Sequence, residues 1–188
     1  MTKSQKNDLL DVFISEYEKL KQEQIARIGF RDNLIYATLI SLTAVVSIVA
    51  DDTTRIPVLL VLPMVCIVLG WTYLVNDEKI SAIGHYLRFS LSDKISELVK
   101  GKDSVLFGWE IAHRSDTRRV SRKIIQFLVD EVVFILPGVA AILVFWLNTS
   151  SNFLVLRWVA GIELAFLITL GFQIFSYADF GKGKGNRS

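Results

Sequence analysis

Four apolar stretches constrain this chain more than anything else in it, because each approaches the roughly 20 residues a helix needs to cross a bilayer. They are 34–50, 56–75, 132–147 and 153–176. The first carries only small polar residues, Thr38, Ser41, Thr43 and Ser47. The third extends backwards through 124–129 across the acidic pair Asp130 and Glu131, and the fourth contains Arg157 near its start and Glu163 further in. A chain of 188 residues has no core able to bury four such helices. The expected fold class is therefore all-α: a polytopic membrane protein with four transmembrane helices and cytoplasmic helical extensions. The first run is expected to be a mature membrane segment. A polar stretch, 1–33, precedes it where a signal peptide would have a short basic start, and no A-x-A cleavage site stands before Asp51.

Composition narrows the function classes. The chain is 52% hydrophobic and 21% charged, with a formal charge of +2. That balance excludes a grossly basic nucleic-acid binder, and nucleic acid is not an expected partner. The single cysteine, Cys66, excludes an intramolecular disulfide and a Cys-based metal site. The charges are segregated. Of 21 Lys and Arg, six lie in 1–33, ten in 76–131 and three in 177–188, leaving only Arg55 and Arg157. The positive-inside rule then predicts both termini and the central segment in the cytoplasm, with short hairpins at 51–55 and 148–152 facing out. Trp146 and Trp158 would mark the outer interface, and Trp71, Tyr73, Phe175 and Tyr177 the inner one. The expected division is a cytoplasmic amphipathic helix at 1–33, a membrane hairpin at 34–75, a cytoplasmic helical segment at 76–131, a second hairpin at 132–176, and a flexible cytoplasmic tail at 177–188.

Helical periodicity continues outside the apolar runs. Leu10, Phe13, Tyr17, Leu20, Gln24 and Ile28 follow the spacing of a coiled-coil seam, with a polar break at Gln24. Nothing before Leu34 breaks a helix, so 5–50 is predicted as one long helix capped by Ser4 or Asn7. The second run is predicted to continue through Ile80, Ile83, Leu87, Leu91, Ile95 and Leu98, ending at Gly101. A loop at 102–116 and a third helix from Thr117 follow. These seams need a partner, either each other or a second subunit. Pro63 and Pro137 are expected to kink their runs.

Three groups of residues are candidates for function. Glu163 lies five residues past Trp158, about 7–8 Å below the outer interface. An ionisable residue there costs about 2.5 kcal/mol or more and normally faces the bundle interior or a water-filled cavity. The hydroxyls of Ser41, Thr43 and Ser47 are its expected partners. On the same helix, Gly161 and Ala165 form a small-xxx-small pair that permits close helix approach.

The second group is a charge ring at the inner boundary: Arg27, Arg31, Asp32, Asn33, Asp77, Glu78, Lys79, Asp130 and Glu131, with Asn76 beside Asp77. Arg27 or Arg31 is expected to pair with Asp130 or Glu131, fixing helix register or forming a gate. The third is the juxtamembrane basic cluster Arg114, Arg118, Arg119, Arg122 and Lys123, beside His113, which suits anionic lipid headgroups. There is no glycine-rich phosphate loop, and His85 and His113 are isolated. The chain is not expected to be an enzyme, to take a cofactor or to bind a metal.

Two strings, Glu23-Gln24 with RIGFRDN at 27–33 and GWTYLVNDEKISAIGHY at 70–86, resemble those of an uncharacterised family of small bacterial four-helix integral membrane proteins. The resemblance covers about the first hundred residues and implies a multi-pass protein of the bacterial inner membrane, without implying an activity. Small multi-pass proteins of similar layout also occur as membrane components of phage-defence operons, an analogy of architecture that transfers no site. The expected function is a non-enzymatic, oligomeric membrane protein, a pore-type effector or a sensor coupled to a cytoplasmic helical bundle. Its partners would be the lipid bilayer, further copies of itself and a soluble cytoplasmic protein. The rival reading is a passive anchor that recruits such a soluble partner.

Overall fold

The computed structural model describes residues 2–99, 119–149 and 153–177. Of these, 97% are helical and none lies in a strand. Four helices are long and apolar enough to cross a membrane: Lys3–Asp51, Thr54–Val99, Ser121–Asn148 and Leu154–Tyr177. Within them the elements are α1 (Lys3–Asp51), a 3-10 helix (Thr53–Leu60), α2 (Val61–Tyr86), a π-helical turn (Leu87–Leu91) and α3 (Ser92–Val99). Then come α4 (Arg119–Asp130), a second π-helical turn (Glu131–Ile135), α5 (Leu136–Asn148) and α6 (Leu154–Tyr177). The expected stop at Gly101, the loop at 102–116 and the start at Thr117 lie outside the described residues, as does most of the tail.

Local chemistry explains the ends and irregularities. The start of α1 is capped by Thr2, and neither Ser4 nor Asn7 does it. The Gln5 N–H donates to Thr2 Oγ1 (3.3 Å) and the Thr2 N–H donates back to Gln5 Oε1 (2.9 Å), a reciprocal capping box. Asp52 alone separates α1 from the 3-10 helix. It caps that helix by accepting from the Thr54 N–H (2.9 Å) and Thr54 Oγ1 (2.7 Å). These two donors hold the Asp52 carboxyl below the usual carboxylate range.

Both prolines fall where the winding departs from a regular α-helix. Pro63 stands in the first turn of α2, directly after the run that winds as the 3-10 helix. Pro137 stands just after the turn Glu131–Ile135, whose wider π winding carries the chain past the carbonyl that the ring would strike.

The chain divides into two compact units. Among the described residues, the first comprises 2–31, 76–99 and Arg119. Its core is the seam expected from the periodicity: Leu87, Leu91 and Ile95 are buried against Leu10, Phe13, Tyr17, Leu20, Ile83 and Tyr86. The seams thus pack on each other within one chain. Ile28, the last expected seam position on α1, is instead 37% exposed, because polar contacts from Gln24 and Arg27 take over there.

The second unit comprises, among the described residues, 32–75, 120–149 and 153–177. Its core is built from small contiguous apolar clusters. Leu60, Cys66, Ile142, Phe145, Ala160 and Leu167 form one, and Leu34, Tyr73, Val133 and Phe134 another. Two glycines permit the closest approaches. A Cβ on Gly70 would lie 2.7 Å from Leu170 Cδ2, and one on Gly138 would lie 2.8 Å from Leu167 Cδ1 and 3.3 Å from the Pro63 backbone. Gly161, by contrast, has nothing within 4 Å of its Cβ position, so the Gly161–Ala165 pair does not mediate close packing within the chain. The outward faces stay apolar: Val155, Trp158, Ile168 and Phe172 on α6 are all more than 60% exposed.

Candidate functional site

Helix α6 places Glu163 on the inward stripe Ala160, Glu163, Leu167, Leu170 and Ile174, whose three- and four-residue steps match one face of an α-helix. The residue is 8% exposed, and its Oε2 is buried without a hydrogen-bond partner among the described residues. Its expected partners are otherwise engaged. Ser41 Oγ donates to the Ala37 carbonyl (2.8 Å), Thr43 Oγ1 to Leu39 (2.9 Å) and Ser47 Oγ to Thr43 (2.8 Å). Thr38, only 1% exposed, does the same toward Leu34 at 2.9 Å. In a helix a hydroxyl has an acceptor one turn back at all times, so these side chains are satisfied locally and reach for no carboxyl. The hydroxyl partnership is corrected accordingly.

In the first unit the two distinctive sequence strings meet face to face. Asn76 Nδ2 donates to the Arg27 carbonyl (2.7 Å) while Arg27 Nη1 donates to Asn76 Oδ1 (3.3 Å). Arg27 also grips Glu23 on its own helix with Nε (2.8 Å) and Nη2 (2.6 Å). Arg31 Nη1 donates to Asp77 Oδ1 at 2.9 Å, both side chains being 24% exposed. One turn before Arg27 on α1, Gln24 Nε2 donates to the Ile80 carbonyl (3.3 Å), where Gly84 leaves room for the amide. Tyr86 closes the ladder by donating to Glu16 at 2.7 Å. This polar clasp joins α1 to α2, with Asn76 buried to 5% exposure in its middle.

Asp32, Asn33, Glu78 and Lys79 are exposed. Asp130 is buried at the end of α4, and Glu131 opens the π turn with both carboxylate oxygens 3.6 Å from where a Gly171 Cβ would stand. The pairing of Arg27 or Arg31 with Asp130 or Glu131 stays an expectation. Arg122 is exposed and Lys123 half-buried on α4, whereas His113, Arg114, Arg118 and the Arg119 side chain lie outside the described residues. Among the described residues no three His, Cys, Asp or Glu converge as metal donors.

Sequence reasoning missed two contacts of this kind. Gln126 Nε2 donates to the Tyr73 hydroxyl at 3.4 Å, and Arg157 Nη2 donates to the Trp146 carbonyl at 3.4 Å. A polar residue at a stripe position signalled the first, and a lone cation within an apolar run signalled the second. No protein-family model, no curated protein and no solved structure matches the chain. Its function has to be argued from its own side chains.

Proposed function

We propose that the chain is a multi-pass protein of the bacterial inner membrane with four transmembrane helices and both termini in the cytoplasm. It is non-enzymatic and acts as an oligomeric pore-type effector or membrane sensor, coupled to the cytoplasmic hairpin of the first unit. Support for membrane insertion comes from the apolar outward faces of the second unit, which in water would form a patch far larger than a soluble surface carries. The single observation that carries an active role is Glu163: a buried carboxyl with an unsatisfied oxygen is expensive, and membrane proteins keep such groups where protons, ions or signals act on them. Induced expression in bacteria with a membrane-potential dye tests it. Wild type depolarises the cells and Glu163→Gln does so much less; equal depolarisation by both removes Glu163 from the mechanism.

A specific observation favours the second reading, a passive anchor or scaffold. The hydroxyls of Thr38, Ser41, Thr43 and Ser47 are all turned to their own backbone, so one chain offers few free polar groups for a conducting path. No depolarisation by wild type, together with co-purification of a soluble cytoplasmic protein, would select the anchor.

A further inference from the structure

We propose that the end of the α5–α6 hairpin is a phospholipid site, with the headgroup phosphate on Arg157 and the glycerol and upper acyl region against Trp146, Leu154 and Trp158. The proposal rests on the reading of the second unit as membrane-embedded. A surface hollow of about 460 Å³ is lined by these four residues. Three of its walls are apolar, with Trp158 70% and Leu154 63% exposed, and the fourth is a guanidinium. Indoles prefer the headgroup level of a bilayer, with the ring among the acyl chains and the N–H toward water.

Arg157 is under-used by the protein itself. It stands in the first turn of α6, the positive end of the helix dipole, where a cation is disfavoured. No carboxylate among the described residues pairs with it. Among the described residues its one side-chain hydrogen bond is the 3.4 Å contact to the Trp146 carbonyl, and its Nε is buried with no partner there. A guanidinium presents its N–H donors as a planar fork that suits two oxygens of one phosphate. A phosphodiester on the terminal Nη donors would neutralise the charge and use the dipole of the helix end at once. A free anion would gain nothing from two indoles and a leucine, whereas a lipid gains from both kinds of wall. One turn further along the same face, Gly161 has open space at its Cβ position, and Ala165 follows it. The helix therefore offers a shallow trough along which an acyl chain can lie.

The test uses the full chain, purified in detergent and examined by native mass spectrometry with phosphatidylglycerol, with diacylglycerol of the same acyl chains, and with inorganic phosphate alone. Wild type is expected to retain phosphatidylglycerol about five- to tenfold more than diacylglycerol, and Arg157→Gln to lose that preference. Trp158→Leu should weaken retention of both lipids while keeping the preference. Helical circular dichroism confirms that each variant is folded. Arg157→Lys, which keeps the charge and loses the fork, should fall between wild type and Arg157→Gln. Equal retention by wild type and folded Arg157→Gln overturns the site, as does saturation by inorganic phosphate with no preference between the lipids. A lipid-free wild-type oligomer that Arg157→Gln dissociates also overturns it, since a second copy then fills the hollow. Carbonate washing of cell membranes separates the two levels. A chain that washes off removes the membrane reading and the site together; a chain that stays without lipid preference removes the site alone.

Discussion

The two units solve the same problem, holding helices together, with opposite chemistry. The first combines one apolar seam around Leu87, Leu91 and Ile95 with a ladder of polar contacts from Tyr86–Glu16 through Gln24–Ile80 and Arg27–Asn76 to Arg31–Asp77. The second uses glycine-mediated close packing at Gly70 and Gly138, turns the hydroxyls of Thr38, Ser41, Thr43 and Ser47 onto their own helix, and leaves one carboxyl oxygen of Glu163 unmet among the described residues. Water is a good solvent for the first arrangement, because exposed charges such as Glu18 and Lys19 cover its outer face. It is a poor one for the second, whose outer face is valine, isoleucine, phenylalanine and tryptophan. The difference teaches that association in the second unit depends on shape. In the first it depends on an apolar seam plus directional polar contacts.

Substitutions can break that contrast, and the largest effect is expected at the seam. Leu91 is fully buried, and Leu91→Ala should destabilise the first unit by about 3 kcal/mol, through lost transfer energy and the cavity left behind. Amide hydrogen exchange should rise along 10–20 and 83–95. Unchanged protection there would mean that the seam does not hold the unit together.

Next comes shape in the second unit. Gly138→Ala drives a methyl into Leu167 and the Pro63 backbone and should cost about 1–3 kcal/mol, while Gly161→Ala should be near neutral. Thermal unfolding in detergent compares them, and equal losses would contradict shape-governed packing.

A smaller effect is expected at the clasp. A double-mutant cycle on Arg31→Ala and Asp77→Ala should give a coupling of about 0.5–1 kcal/mol, since both side chains retain some contact with water. A coupling of zero would reduce the clasp to a register mark without energy.

The smallest concerns Asp52. Its carboxyl titrates below the usual range because Thr54 donates to it twice, so Thr54→Val should move the midpoint back up by removing the side-chain donor. A group whose folded pKa is depressed stabilises the fold above its unfolded pKa and loses that contribution as pH falls through the folded value. Carbon-13 NMR of the labelled carboxyl reads the shift, and an identical midpoint in both proteins would discount the cap.

Much of this architecture was legible in the residues. The unbroken run over 5–50 foretold α1, and the matching seams foretold the hairpin of the first unit. The inward position of Glu163 followed from the cost of facing an ionisable group to lipid. The π turn at Leu87–Leu91 had a signal that a plain helical reading passes over. Ile83, Leu87, Leu91 and Ile95 recur every four residues, a drift from the period of about 3.6 that one wider turn absorbs while keeping all of them on the same face. The fate of the hydroxyls was not legible, because composition does not say whether a serine bonds its own backbone or a neighbouring helix. Nor was the reciprocity of Arg27 and Asn76, which depends on how two helices far apart in sequence come into register.

The central claim is that the second unit lies in a membrane and the first in the cytoplasm, and cysteine accessibility in intact bacterial cells tests it most directly. On a Cys66→Ala background, single cysteines are placed by Asp52→Cys and Thr149→Cys at the ends of the two hairpins and by Lys79→Cys in the first unit. A membrane-impermeant maleimide should label the first two in intact cells and the third only after permeabilisation. Equal labelling of all three in intact cells, or labelling of Lys79→Cys alone, would contradict the account.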